Sequence, residues 1–191
     1  MKNKTLRNGG ILTIIINLLF FASIIPCILY GLELPYSIFF ITFAMFAYHT
    51  DVRIVIGLFC TALFREKINV NKKVYTIKDK EFAFLNKLKV KKWKDNFIAL
   101  DRGQFILKDL RDEEKVKQVL QNNICAEIIH WICFFVGFLA IPLGCLMSVD
   151  EWYIYVITSV LTSMFADLPA ILIQRFNRYR ILQTLNKPAK K

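Results

Sequence analysis

Two ionisable side chains stand three residues apart inside an apolar run. In "ICAEIIHWICFF", Ile124 to Phe135, they are Glu127 and His130, and on a helix that spacing puts both on one face. A carboxylate beside a histidine is a general-base arrangement, because it orients the ring and stabilises the imidazolium formed when a proton is taken. The same residue types could form half of a metal site, or a polar contact that ties helices together. Glu-x-x-His is the spacing found in di-metal carboxylate bundles, which need two such motifs and two further glutamates. The motif occurs once here and the apolar runs carry few carboxylates, so no bound metal is expected. Chemistry alone leaves the catalytic and the interhelical readings both open.

Other polar groups interrupt apolar stretches. "YHTDVR" supplies His49, Asp51 and Arg53 as accessory candidates. Asp51 and Arg53 are two residues apart and do not face each other on a helix, so they should pair with other helices, or mark a break or bend. In "FADLPAILIQRFNRYRIL", Asp167, a further accessory candidate, precedes Pro169, which can kink a helix and free backbone carbonyls. Gln174, Arg175, Asn177, Arg178 and Arg180 follow at the end of that run. Their guanidiniums suit a phosphate or carboxylate on a substrate head group, and would equally serve as a stop-transfer flank.

These residues need elements to hold them. The chain has 191 residues, 55% hydrophobic, with 17 Phe and a net charge of +11, and its mean hydropathy is +0.42. Apolar and basic residues must therefore be segregated. Four apolar runs, residues 11–31, 36–64, 124–147 and 152–173, each reach the roughly 20 residues that cross a hydrocarbon core as a helix. The fold class is an all-α integral membrane protein, one membrane domain over residues 1–191, with four transmembrane helices, a basic segment 65–123 between the second and third, and a basic tail 174–191. Lys2, Lys4 and Arg7 precede the first run, and 16 of the 26 Lys and Arg lie in 65–123. The links "LELPY" and "SVDEW" carry only acids, Glu33, Asp150 and Glu151. The positive-inside rule then predicts a multi-pass cell-membrane protein with both termini and the central segment cytoplasmic. The first run resembles a signal peptide, yet no small-x-small cleavage site follows it, so it reads as an uncleaved helix. Cys27, Cys60, Cys125, Cys133 and Cys145 form no C-x-x-C pair and read as small buried hydrophobes.

Within 65–123, "EFAFLNKLKVKKWKDNF" interleaves Phe82, Phe84, Leu85, Leu88, Val90, Trp93, Phe97 and Ile98 with lysines. This predicts one or two amphipathic helices in the bilayer interface, attracting anionic head groups. Nucleic acid is not an expected partner, since no fold signature accompanies the charge. A turn is expected at Arg102–Gly103, and a helix starting near Asp112 should lead into the third run. No Gly-rich phosphate loop exists among the seven glycines, which argues against a soluble nucleotide-dependent enzyme. Four spans without an inverted repeat argue against a transporter.

Three blocks, "KVKKWKD" (Lys89–Asp95), "AEIIHW" (Ala126–Trp131) and "LPAILIQRFNRYRIL" (Leu168–Leu182), resemble in order and spacing the glycosyl-4,4'-diaponeurosporenoate acyltransferase family. The resemblance runs from about Glu81 to Leu182. It implies a small membrane-bound acyltransferase that moves a fatty acyl group onto a sugar hydroxyl of a glycolipid, a glycosyl carotenoid or similar. The implied catalytic residues are His130 and Glu127. The implied substrate-binding residues are Gln174, Arg175, Asn177, Arg178, Arg180, Trp93, Lys94 and Trp131, with Pro169 also matching. The implied co-substrate is an acyl thioester, on coenzyme A or an acyl carrier protein, with no bound cofactor. Membrane lipids and the glycolipid are the expected partners. Asp167 stands where the family usually has Asn, and Tyr179 replaces the Pro between two arginines. Competing functions are a different lipid-modifying transferase, on a polyprenyl or phospholipid substrate, and a non-catalytic membrane scaffold subunit.

Overall fold

The computed structural model describes residues 2–31, 33, 35–93, 113–147 and 150–185; for residues 2–9, 143, 145, 147, 184 and 185 it describes backbone alone. The helices are α1 (Lys2–Tyr30), α2 (Tyr36–Leu63), α3 (Asp79–Lys87), α4 (Val90–Trp93), α5 (Glu113–Met147), α6 (Trp152–Thr162) and α7 (Leu168–Leu185). No strand occurs among the described residues. Lys94, Phe97, Ile98 and the expected turn at Arg102–Gly103 lie outside them.

Four helical stretches are long and apolar enough to cross a membrane: Gly10–Tyr30, Tyr36–Leu63, Glu113–Pro142 and Trp152–Gln183. The molecule is a multi-pass membrane protein. α5 starts at Glu113, where the helix leading into the third run was expected. Glu113 and Glu114 in its first turn suit the positive end of the helix dipole.

The burial pattern is that of a chain in lipid. Ile14, Leu18, Phe21, Val55, Leu58, Phe135 and Phe165 are exposed, while Ser159, Ser163, Asp167 and Asn123 are fully buried. Apolar side chains face outward where acyl chains lie, and polar side chains are gathered inside, where Ser159, Asp167 and Asn123 find partners. α1 packs along α2, through the Phe20–Phe40 and Tyr30–Tyr36 ring pairs, and Asn17 donates to Asp51 at 3.1 Å. Two glycines of α5 permit close approach. A Cβ at Gly144 would overlap the Tyr155 ring of α6, and one at Gly137 would sit 2.9 Å from His49 Cε1 of α2.

α2 passes through "YHTDVR" without interruption. The break or bend considered for that stretch does not occur, because its polar groups bond sideways to α1 and the fourth span and leave the helical ladder intact. The irregularity lies in the fourth span, where a π-helical segment, Ser163–Asp167, joins α6 to α7. Pro169 lacks an N–H and its ring crowds the carbonyl four residues back, at Phe165. Widening the turns there absorbs both effects.

Near the start of α5, Gln121 donates to the carbonyls of Glu66 and Ile68, at 3.0 and 3.2 Å, and pins the loop after α2. α3 and α4 are joined by Leu88 and Lys89, the latter at φ 56, a left-handed conformation uncommon outside glycine. Leu85 and Val90 close with Phe176 of α7 into a buried cluster, flanked by Phe82, Trp93, Leu172 and Ile173. The amphipathic segment thus spends most of its aromatic face on α7.

Candidate active site

α5 and the fourth span run antiparallel, and their facing stripes carry the polar groups. Along α5, Asn123, Glu127, His130 and Gly137 fall on one seam of 3.5-residue spacing. Opposite them come Gln174 and Arg178, then Arg175, then Asp167, then Ser163.

At its deeper end the seam holds a three-residue cluster. His130 Nδ1 lies 3.1 Å from Asp167 Oδ1. Arg53 Nε donates to the same oxygen at 3.1 Å, and Arg53 Nη2 bonds to Asp167 Oδ2. Arg53 Nη1 also bonds to the carbonyl of His49, one turn back on α2. Asp167 is fully buried, whereas the His130 side chain keeps 27% of its surface exposed. The π-helical segment explains this placement, because it turns Asp167 inward between α2 and α5. In the neutral ring, a carboxylate at Nδ1 selects the Nδ1–H tautomer, which leaves the lone pair on Nε2. Nε2 has no hydrogen-bonding partner among the described residues.

One helical turn away lies a second cluster of two carboxylates and two guanidiniums. Arg175 Nε and Nη2 bond to both oxygens of Glu81 on α3, the latter at 2.9 Å, and its Nη1 donates to Glu127 Oε1 at 2.6 Å. Arg178, 1% exposed, places Nη1 2.6 Å from Glu127 Oε2 as a close ion pair and 3.4 Å from Asn123 Oδ1. Asn123 in turn donates to Gln174 Oε1 at 2.7 Å. Formal charge is balanced, as burial of ions requires.

The expected pairing of Glu127 with His130 is therefore corrected. A carboxylate gains more from two guanidiniums than from a neutral imidazole on its own helix, and both of its oxygens are taken. Asp167, regarded from sequence as an accessory, is the carboxylate that meets His130. Arg175 and Arg178, whose guanidiniums suited a head group in the sequence, point their charges at Glu81 and Glu127.

The remaining candidates are dispersed. Arg180 is exposed with its guanidinium 5.8 Å from the Phe176 ring centroid. Asn177 is half-buried beside these groups without a side-chain bond among the described residues. Trp93 bonds through Nε1 to Leu88 O at 3.0 Å and belongs to the α3–α4 packing rather than to the seam. Trp131 stands next to His130 on the lipid-facing side and stacks on Phe135 at 5.9 Å. Asp51 bonds to Asn17 and takes no part in the cluster. His49, buried, has Nε2 3.4 Å from Ser159 Oγ and packs against Gly137. Lys94 lies outside the described residues. No group of three His, Cys, Asp or Glu that could hold a metal occurs among them. Sequence reasoning missed Glu81, Asn123 and Ser159; for Glu81 the signal was an acid inside a lysine-rich amphipathic stretch.

A model of the CrtO family, glycosyl-4,4'-diaponeurosporenoate acyltransferase, matches residues 67–187, more than half of the chain. The chain belongs to that family. It is accordingly an acyltransferase of carotenoid biosynthesis by family. The matched stretch carries α3 to α7, the whole of the second cluster, and His130 and Asp167 of the first, but neither α2 nor Arg53. No curated protein and no solved structure matches the chain.

Proposed function

We propose that this CrtO-family protein transfers a fatty acyl group from a thioester donor to a sugar hydroxyl of a membrane glycolipid, at the cytoplasmic face of the cell membrane. The observation that carries the reading is the His130–Asp167 contact, with Nε2 of a partly exposed imidazole directed away from its carboxylate. His130 Nε2 takes the hydroxyl proton as the sugar oxygen forms a bond to the thioester carbonyl carbon. Collapse of the tetrahedral intermediate breaks the C–S bond, and the thiolate leaves with the proton that His130 returns. Asp167 stabilises the transient imidazolium and Arg53 fixes Asp167. Asn at position 167 would present the same kind of oxygen to Nδ1–H, as Asn does in Cys-His-Asn proteases, which reconciles this residue with the family pattern.

The cytoplasmic face follows from charge. The clusters lie near the Lys/Arg-rich ends of the spans, where the positive-inside rule puts the cytoplasm, and where a thioester on coenzyme A or an acyl carrier protein would arrive. A glycosyl carotenoid is the acceptor suggested by the family. In this reading Glu81, Glu127, Arg175 and Arg178 form a structural lattice that holds α3 and the seam together. The other competing readings, a polyprenyl- or phospholipid-modifying transferase and a non-catalytic scaffold, are set against it by experiment. Lipids of cells carrying the native chain, no chain, or His130→Ala at matched expression are compared with labelled acyl chains and labelled head groups. Loss of one acylated glycolipid in both altered strains is expected. Unchanged acylation in His130→Ala would refute the assignment of the base, and head-group transfer without acyl transfer would favour the other transferase.

A further inference from the structure

We propose that the outward face of α3 and α4 is a docking surface for anionic phospholipid head groups of the bilayer the chain itself spans. All eight lysines between Asn71 and Trp93 are exposed. The two acids of the same stretch turn the other way. Asp79 accepts from the Tyr179 hydroxyl at 2.6 Å, and Glu81 is held by Arg175. Glu81 is neutralised by Arg175 and Asp79 is aimed at Tyr179 of α7, so the outward surface is strongly positive, eight lysines against one exposed carboxylate at its edge.

That surface is not purely polar. Phe84 is 55% and Leu88 40% exposed, and they share a helical face with Lys80 and Lys87, since residues three, four and eight apart align. The opposite face is the packed one, where Phe82 stacks on Tyr179 at 3.9 Å and on Phe176 at 5.4 Å. α3 is thereby fixed beside Leu172–Tyr179, where the fourth span passes from apolar to charged sequence, which is the depth of the head groups. An aromatic and a leucine at that depth reach the acyl boundary while lysine stems extend to the phosphates. Each lysine near an anionic surface contributes about fivefold in binding. An acidic protein would meet the same charge, but not the depth at which Phe84 and Leu88 are held.

The test places a photoreactive phenylalanine analogue at position 84 of the full chain, reconstituted in phosphatidylcholine vesicles with or without phosphatidylglycerol. Adducts are identified by mass, a readout independent of acyl transfer. A phospholipid adduct is expected, with a yield several-fold higher when phosphatidylglycerol is present and most of that gain lost in Lys80→Gln/Lys87→Gln. Equal yields in the two vesicles, absence of a lipid adduct, or an adduct to an acidic protein in cell membranes would each overturn the proposal.

Discussion

Asp167→Ala, read together with Arg53→Met/Asp167→Ala, separates helix packing from chemistry. Asp167 is fully buried and Arg53 is 18% exposed. Removing the carboxylate alone leaves a guanidinium without its counter-charge between α2 and the fourth span. Breaking a buried pair from one side costs about 3–5 kcal/mol. The residual exposure of Arg53, and its remaining bond to His49 O, place the expected loss at the low end, about 3 kcal/mol. A neutral interhelical bond in a membrane averages only about 0.6 kcal/mol, so a loss of that size would mean the pair is not ionic. In the double variant no charge is stranded and methionine fills the space left by the arginine stem, so about 2 kcal/mol should return. Turnover should not return, because His130 still lacks the group that orients it. Loss of a general base or its orienting carboxylate costs about 10²–10⁴-fold. Stability is measured by reversible unfolding in mixed micelles, and transfer is measured per folded molecule. A double variant that recovers transfer along with stability would refute the reasoning and return Asp167 to a packing role.

Glu127→Gln should destabilise by about 3 kcal/mol, since two guanidiniums then share one remaining carboxylate; the same unfolding assay reads it. Gly137→Ala should cost about 1–3 kcal/mol by overpacking against His49 and Ser163. Gly57→Ala, where a Cβ meets nothing within 4 Å, should be neutral or stabilise by up to about 1 kcal/mol, and the pair is compared by melting in detergent. Phe176→Ala removes the centre of the α3–α4 seat, at about 3–5 kcal/mol of local packing, and should speed amide exchange in Asp79–Lys87 well beyond that of α5.

The spans were legible because hydropathy and charge act at the scale of whole segments. Twenty apolar residues must cross, and lysines must stay on one side, whatever the tertiary detail. The fate of "YHTDVR" was half legible. The prediction that Asp51 and Arg53 pair with other helices follows from helical geometry, and Asn17 and Asp167 are those partners. Glu127 and His130 misled because sharing a face permits a contact without requiring it. Each had a stronger option on the fourth span, and no pattern in one sequence ranks options between helices. Glu81 illustrates the same limit at greater range. Its partner Arg175 is 94 residues away, and only the packing of Leu85, Val90 and Phe176 brings the two together.

The Arg53–Asp167 contact joins a helix outside the family-matched stretch to a position inside it. Asparagine at 167 would leave a guanidinium at 53 stranded at membrane depth, and aspartate at 167 without that arginine would bury a lone anion. Either change by itself costs about 3 kcal/mol or more, and pairing the first with a neutral residue at 53 returns part of that loss. α2 is thus tied to the family-matched part of the molecule through a single charge pair. Transplanting α3–α7 onto the first two helices of a relative would succeed or fail on which residue that relative carries at position 53.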